Sequence, residues 1–252
     1  MIERGFCQIL RFFIPQVITA SRVLLSGAAL SSAVFRRTQL TAILITLGAV
    51  TDGLDGSLAR KLRATTEFGA LFDYFADYLC YIVVPVVLST LLIEQAADPL
   101  ALFLLGLPLL AGIIRYARNA IWLRRENFEE LGFPGLGTVF YAFFIVTLVF
   151  LDLENTIGAV MLRRSLFVIV PWLSCMMVLP LRYPKLMKYK LVLVPILLAL
   201  CLMTFAFTKF LATCTLVLGF IYAVAAPFFI SHHLQRGSLG TAADSSPNTL
   251  GR

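Results

Sequence analysis

Apolar runs of about twenty residues, separated by short polar or basic turns, dominate the chain. Eight are read, at 14–35, 39–60, 68–93, 99–122, 136–152, 157–180, 190–208 and 211–231. A transmembrane helix needs ~20 mostly apolar residues. The fifth run is short and the sixth carries Arg163 and Arg164 near its start, so the pattern predicts six to eight spans. The breaks have local causes. Arg36-Arg37-Thr38 divides the first two runs, and Gln95 to Pro99 is a polar turn ending in a helix-starting proline. Leu181 to Lys190 is a basic loop with Pro184 as a breaker. Residues 1–13 alternate charged and bulky apolar side chains and read as an interfacial amphipathic helix before Pro15. They do not read as a signal peptide, because the apolar run that follows is too long. The expected fold class is an all-α integral membrane helical bundle, one transmembrane domain over 1–234. The tail at 235–252, rich in Ser, Gly, Ala and Asn, is expected to be disordered.

Composition narrows the function. Sixty per cent of residues are hydrophobic, 14% are charged and mean hydropathy is +0.89. A soluble domain carries roughly 25% charged residues. One water-soluble core cannot hide this much apolar surface. An ordinary cytosolic enzyme, a disordered protein and a nucleic-acid-binding module are excluded, and the expected surroundings are membrane lipids. The net charge of +7 then reports on loops. With eight spans, fifteen of the 21 Lys and Arg fall on one side and five on the other, with Arg22 inside the first span. The positive-inside rule puts both termini in the cytoplasm, as for a protein of a cell inner membrane. Cys7, Cys80, Cys175, Cys201 and Cys214 are scattered without metal-site spacing and read as small apolar fillers.

Four carboxylates do not belong in a bilayer. Asp52 and Asp55 end the second run, and Asp73 and Asp77 begin the third, across a turn holding Arg60, Lys61 and Arg63. The first pair is spaced i, i+3 and the second i, i+4, so each pair shares a helix face. A short hairpin turns the two acidic faces toward each other. Four such charges repel strongly at low dielectric, so something positive must sit among them. All-oxygen ligation suits Mg²⁺ or Mn²⁺, and two divalent ions would neutralise four carboxylates. Paired ions can also clamp a phosphate during in-line displacement. Gly53, Gly56, Ala59 and Gly69 keep the inner faces slim, which close helix packing alone would also favour.

Asp52-x-x-Asp55-Gly56-x-x-Ala59-Arg60, then eight residues, then Gly69-x-x-x-Asp73-x-x-x-Asp77, resembles the signature of the CDP-alcohol phosphatidyltransferase family at all eight fixed positions, 52–77. Ile14 to Arg22 is similar to the family's first-helix pattern, with Gln16 where Asn is usual. The resemblance spans most of residues 12–125. It implies a membrane enzyme of phospholipid synthesis that moves a phosphatidyl group from CDP-diacylglycerol to a small alcohol and releases CMP. It further implies that Asp52, Asp55 and Asp73 hold the metals, with Asp77 a shared ligand and the general base. Gly56, Ala59, Arg60, Gly69, Thr19 and Arg22 would contact the CDP moiety. The active site would face the cytoplasm, and the enzyme would be a homodimer.

Several segments bear on the alcohol. Tyr78, where the glycerol-phosphate branches usually have Lys, argues against them. Pro85, eight residues past Asp77, looks like the serine and choline branches. Arg115-Tyr116-Ala117-Arg118-Asn119 and Arg182-Tyr183-Pro184 resemble the serine branch. Leu131-Gly132-Phe133-Pro134 resembles the choline branch. Arg115 and Arg118, at i, i+3, would suit a carboxylate or a phosphate. Choline would call for an aromatic cage, for which Tyr78, Tyr81, Tyr116 and Trp122 are available. The expected acceptor is L-serine, giving phosphatidylserine. The alternatives are choline, or a polyol phosphate such as glycerol phosphate or inositol phosphate. An ion-coupled transporter would also bury acids, but it would repeat the acidic helix pair, and no repeat is found.

Overall fold

A computed structural model describes residues 2–62, 66–93, 99–122, 133–153, 157–183 and 212–227, with backbone alone at 2–13, 15, 54–62, 101, 122, 133 and 159. The chain is an all-α bundle. Among the described residues its helices are α1 (Ile2–Val34), α2 (Thr38–Leu62), α3 (Glu67–Tyr78), α4 (Val84–Leu92), α5 (Pro99–Trp122), α6 (Thr138–Leu153), α7 (Ala159–Val178) and α8 (Ala212–Pro227). Among the described residues, four stretches are long and apolar enough to cross a membrane: Gln16–Val34, Glu67–Leu92, Leu102–Ile121 and Val160–Val178. The seventh apolar run and the C-terminal tail lie outside the described residues. The segment expected to lie flat before Pro15 is helical but continuous with the first span. Membrane helices tolerate such a proline because neighbouring groups take up the freed carbonyl.

Helices α1 and α2 form a tight hairpin. Arg36 is left-handed (φ 56°), its N–H bonds to Ala33 O, and the Arg37 N–H bonds to Ser32 O at 2.9 Å. This is the Schellman C-cap, filled here by arginine instead of the usual glycine. Ser32 Oγ and Thr41 Oγ1, 2.7 Å apart, tie the two helices beyond the turn.

Helices α3 and α4 form one span, joined by a π-helical turn at Leu79–Val83. Pro85 lacks an N–H and would crowd the carbonyl four residues back, and the wider turn relieves that clash. The turn presses against α2. A Cβ on Gly48 would lie 2.5 Å from the Cys80 thiol, and the Tyr81 hydroxyl reaches Gly48 O at 3.4 Å.

The core centres on α6, buried at every position from Tyr141 to Leu151. A helix apolar all round belongs inside a bundle. Its 16 residues span about 24 Å, less than a bilayer's hydrocarbon thickness. Its burial among α2, α4, α7 and the π turn explains why it can be short. Helix α8 packs alongside, with Tyr222 stacked on Phe140 and Phe220 on Trp172. One element was not expected. Phe133–Pro134 and Arg182–Tyr183 pair as a two-residue antiparallel ladder across the ends of α6 and α7.

Candidate active site

Two helices bring the acidic cluster together. Helix α2 supplies Asp52, and α3 supplies Asp73 and Asp77. One carboxylate oxygen from each lies within 4.8 Å of the others. Helix α3 is fixed at its start by Thr66, whose hydroxyl accepts the Gly69 N–H at 3.0 Å, with Glu67 in the first turn. Such a cap, with an acid near the helix's positive end, holds the first turn in place. Gly69 therefore has a structural role of its own, because a Cβ there would lie 3.0 Å from Thr66 Oγ1.

The positive charge among the acids comes from the chain itself. Arg22, on α1, is fully buried. Its Nη1 donates to Asp52 Oδ1 and lies 2.9 Å from Asp77 Oδ1, while Nη2 donates to Asp73 Oδ1. The sequence resemblance placed this arginine on the nucleotide, and the structure finds it holding three carboxylates. Thr19, also expected at the nucleotide, is buried on the same face one turn earlier. The Asp77 approach is an ion pair without hydrogen-bond alignment, so Asp77 Oδ1 keeps an open lone pair. Asp55, Gly56, Ala59 and Arg60 lie on α2, but their side chains are outside those described.

The donor set fits a hard cation. Three carboxylates against one guanidinium leave two negative charges among the described side chains. Oxygen-only donors with that residual charge suit a divalent ion of the Mg²⁺ or Mn²⁺ type.

Helix α5 packs antiparallel to α3 beside this cluster. Tyr116 packs at a tilt against Tyr74 and edge-on against Tyr78, with ring centroids 5.3 and 6.2 Å apart, and the Tyr78 hydroxyl donates to Leu109 O. Arg115 is buried and within electrostatic reach of Asp77. Arg118 departs from expectation. Its Nη1 donates to Val178 O at 2.7 Å, and its Nη2 to Pro134 O at 2.8 Å and Met177 O at 3.1 Å. It clamps the C-terminus of α7 to the strand before α6. Gly135 (φ +83°) makes room for the clamp, since a Cβ there would lie 2.7 Å from Arg118 Nη2. Of the aromatic set, Tyr78 and Tyr116 meet, with Tyr74 added. Tyr81 turns away to Gly48, and the Trp122 side chain is outside those described.

Sequence reasoning missed the Arg118 clamp and Tyr74. The Pro134-Gly135 pair was the available signal for the first.

Comparison with known proteins agrees with this geometry. The profile of the CDP-alcohol phosphatidyltransferase family matches residues 12–180. A CDP-diacylglycerol–serine O-phosphatidyltransferase of Helicobacter pylori is 24% identical over 221 residues, 87% of this chain and 92% of that protein. A phosphatidylcholine synthase of Pseudomonas aeruginosa is 29% identical over 133 residues, 51% of this chain and 55% of its own. An Arabidopsis thaliana CDP-diacylglycerol–glycerol-3-phosphate 3-phosphatidyltransferase is 38% identical over 81 residues, 31% of this chain and 34% of its own. With its acids gathered on α2 and α3 inside an apolar bundle, the chain belongs to the CDP-alcohol phosphatidyltransferase family and is a membrane phosphatidyltransferase of phospholipid synthesis.

Proposed function

We propose that this enzyme transfers the phosphatidyl group of CDP-diacylglycerol to L-serine, giving phosphatidylserine and CMP. The observation that carries the reading is Arg115, a buried arginine near Asp77 whose Nε has no hydrogen-bond partner among the described residues. A buried donor left open is costly unless its site receives an acceptor. The serine carboxylate supplies one in a charge-assisted bond. The name and coverage of the Helicobacter pylori relative support the same acceptor.

In this reading Asp77 accepts the serine hydroxyl proton through Oδ1, the oxygen without an aligned hydrogen bond. The serine oxygen bonds to the phosphatidyl phosphorus as the bond to CMP breaks, and the bonding pair leaves with CMP. Mg²⁺ or Mn²⁺ ions, two in this proposal, held by Asp52, Asp55, Asp73 and Asp77, would polarise the pyrophosphate and stabilise departing CMP. Arg22 orients the three described carboxylates toward one point, and Thr19, Gly56, Ala59, Arg60 and Gly69 border the CDP moiety. Catalysis is then mainly positioning and electrostatics.

Choline is the second reading, favoured by the Tyr74, Tyr78 and Tyr116 rings. The Arg115 guanidinium lies 5.8 Å from the Tyr116 centroid. A cation there repels a quaternary ammonium and takes the ring face it would use. The proposal includes a single catalytic domain over 1–234, an active site and both termini in the cytoplasm, and a homodimer in the inner membrane. The test incubates membranes holding the protein with CDP-diacylglycerol and labelled serine, choline or glycerol phosphate, followed by lipid chromatography. Phosphatidylserine is expected. Phosphatidylcholine from choline, with serine ignored, would refute the reading.

A further inference from the structure

Two buried polar groups on α5 stand open to one another. Arg115 is 8% exposed and Asn119 4%. Arg115 Nε and Asn119 Oδ1 have no hydrogen-bond partner among the described residues. They sit one helical turn apart, on the buried stripe that includes Pro108, Ala111 and Gly112. A guanidinium and an amide oxygen at i, i+4 could bond each other, yet they do not. Buried polar atoms are nearly always satisfied, so a donor and an acceptor left open together mark a place for a polar ligand.

The helix register places that ligand at the chemistry. A Cβ on Gly112 would lie 3.0 Å from the Tyr78 ring and 3.2 Å from Ile82, while Tyr116 packs on Tyr74 and Tyr78. In antiparallel helices, continuing that register sets Arg115 level with Asp77 and Asn119 level with Asp73. The ligand must therefore offer an anion to Arg115 and an N–H or O–H to Asn119 Oδ1, beside the acidic cluster. A free α-amino acid carries both on one carbon. Choline carries neither on its cationic end, since a quaternary ammonium has no N–H.

We propose that Asn119 is a specificity residue that receives the acceptor's ammonium, while Arg115 holds its carboxylate, so that the pair selects a free α-amino acid. The inference rests on the serine reading above and adds a residue and a rule of selection to it. Arg118, fixed to three backbone carbonyls, holds this part of α5 in place.

The test measures acceptor KM for the full chain in detergent with CDP-diacylglycerol, using L-serine and 3-hydroxypropionate, which is serine without its ammonium. A hydrogen bond to a charged group is worth about 1.5–3 kcal/mol, or roughly 10- to 150-fold in binding. In the wild type the KM for 3-hydroxypropionate should exceed that for serine by such a factor. Asn119→Ala should raise the serine KM by about the same factor and move the 3-hydroxypropionate KM by less than about threefold, because that acceptor never made the contact. Asn119→Asp keeps an acceptor oxygen and should keep the preference for serine, which guards against a variant that merely folds poorly. Equal KM increases for both acceptors in Asn119→Ala, or loss of the preference in Asn119→Asp, would overturn the role of Asn119 and leave serine standing as the acceptor. A wild type that ignores serine but uses glycerol phosphate or choline would overturn the serine reading itself.

Discussion

Replacing Arg22 with methionine keeps an apolar stem and removes the charge that three carboxylates share. The side-chain exposures set the magnitude: Arg22 is 0% exposed, Asp77 18%, Asp52 31% and Asp73 39%. At an effective dielectric near 20, two carboxylates 4.8 Å apart repel by about 3.5 kcal/mol. Water reaches two of the three, so their share is screened. Removing one partner of a buried ion pair costs about 3–5 kcal/mol, and the exposure of Asp52 and Asp73 argues for the lower end. About 3 kcal/mol lowers Tm by roughly 6–12 °C in a chain of this size. The assay is thermal unfolding of the purified protein in detergent, with chelator and with Mg²⁺. In chelator, Arg22→Met should melt earlier by that amount. Saturating Mg²⁺ should close much of the gap, because the ion binds the folded state alone and replaces the missing charge. Equal melting of variant and wild type in chelator would refute the counter-ion role. A gap untouched by Mg²⁺ would refute the cluster's role as a metal site.

Asp77→Asn should abolish CMP release in a turnover assay while CDP-diacylglycerol still binds in the presence of metal; donor binding lost as fully as in Asp52→Asn would make Asp77 an essential ligand instead. Arg118→Ala frees three carbonyls and should destabilise the fold by about 2–3 kcal/mol, since bonds from a charged donor are worth roughly 1.5–3 kcal/mol each and this side chain is only partly buried; Arg118→Lys should restore part of the melting temperature, lacking the forked donor. Arg36→Gly should stabilise the α1–α2 hairpin by about 1 kcal/mol in thermal unfolding, because glycine takes φ 56° without the cost of a Cβ. A cysteine placed at Lys61 should resist impermeant thiol reagents in intact cells and react once the membrane is opened; labelling from outside would reverse the proposed orientation.

Much of the fold was legible because bilayer physics is one-dimensional. Run lengths alone located α1 to α7 to within a few residues, apart from the flat helix expected before Pro15. The acidic cluster was legible for a similar reason, since Asp52, Asp73 and Asp77 sit at spacings that fix a helix face. What brings a side chain across to another helix was not legible. Arg22 is 30 residues from Asp52 and 51 from Asp73, and only packing of α1 against both helices makes it their counter-ion. Arg118 looked like half of a ligand pair because i, i+3 spacing says nothing about which carbonyls a long side chain can reach. The ladder at Phe133–Pro134 and Arg182–Tyr183 is two residues long, too short for any alternation, and Pro134 argues against strand.

The π turn at Leu79–Val83 has a consequence for how this span tolerates insertions and deletions. A π turn is an α-helix holding one surplus residue. Each residue of an α-helix advances the chain by about 100°. Deleting one residue between Leu79 and Val83 would take up that surplus and leave a regular helix, with both halves still in phase. Inserting one more residue beyond the surplus already absorbed would instead swing everything past it through roughly that angle. Leu88 and Ser89, now fully buried, would then leave the core if the acids kept their places. If the core kept its grip instead, the acids would rotate away from Arg22. The turn thus makes this span tolerant of a single deletion at Leu79–Val83, where the half phased to the chemistry meets the half phased to the packing.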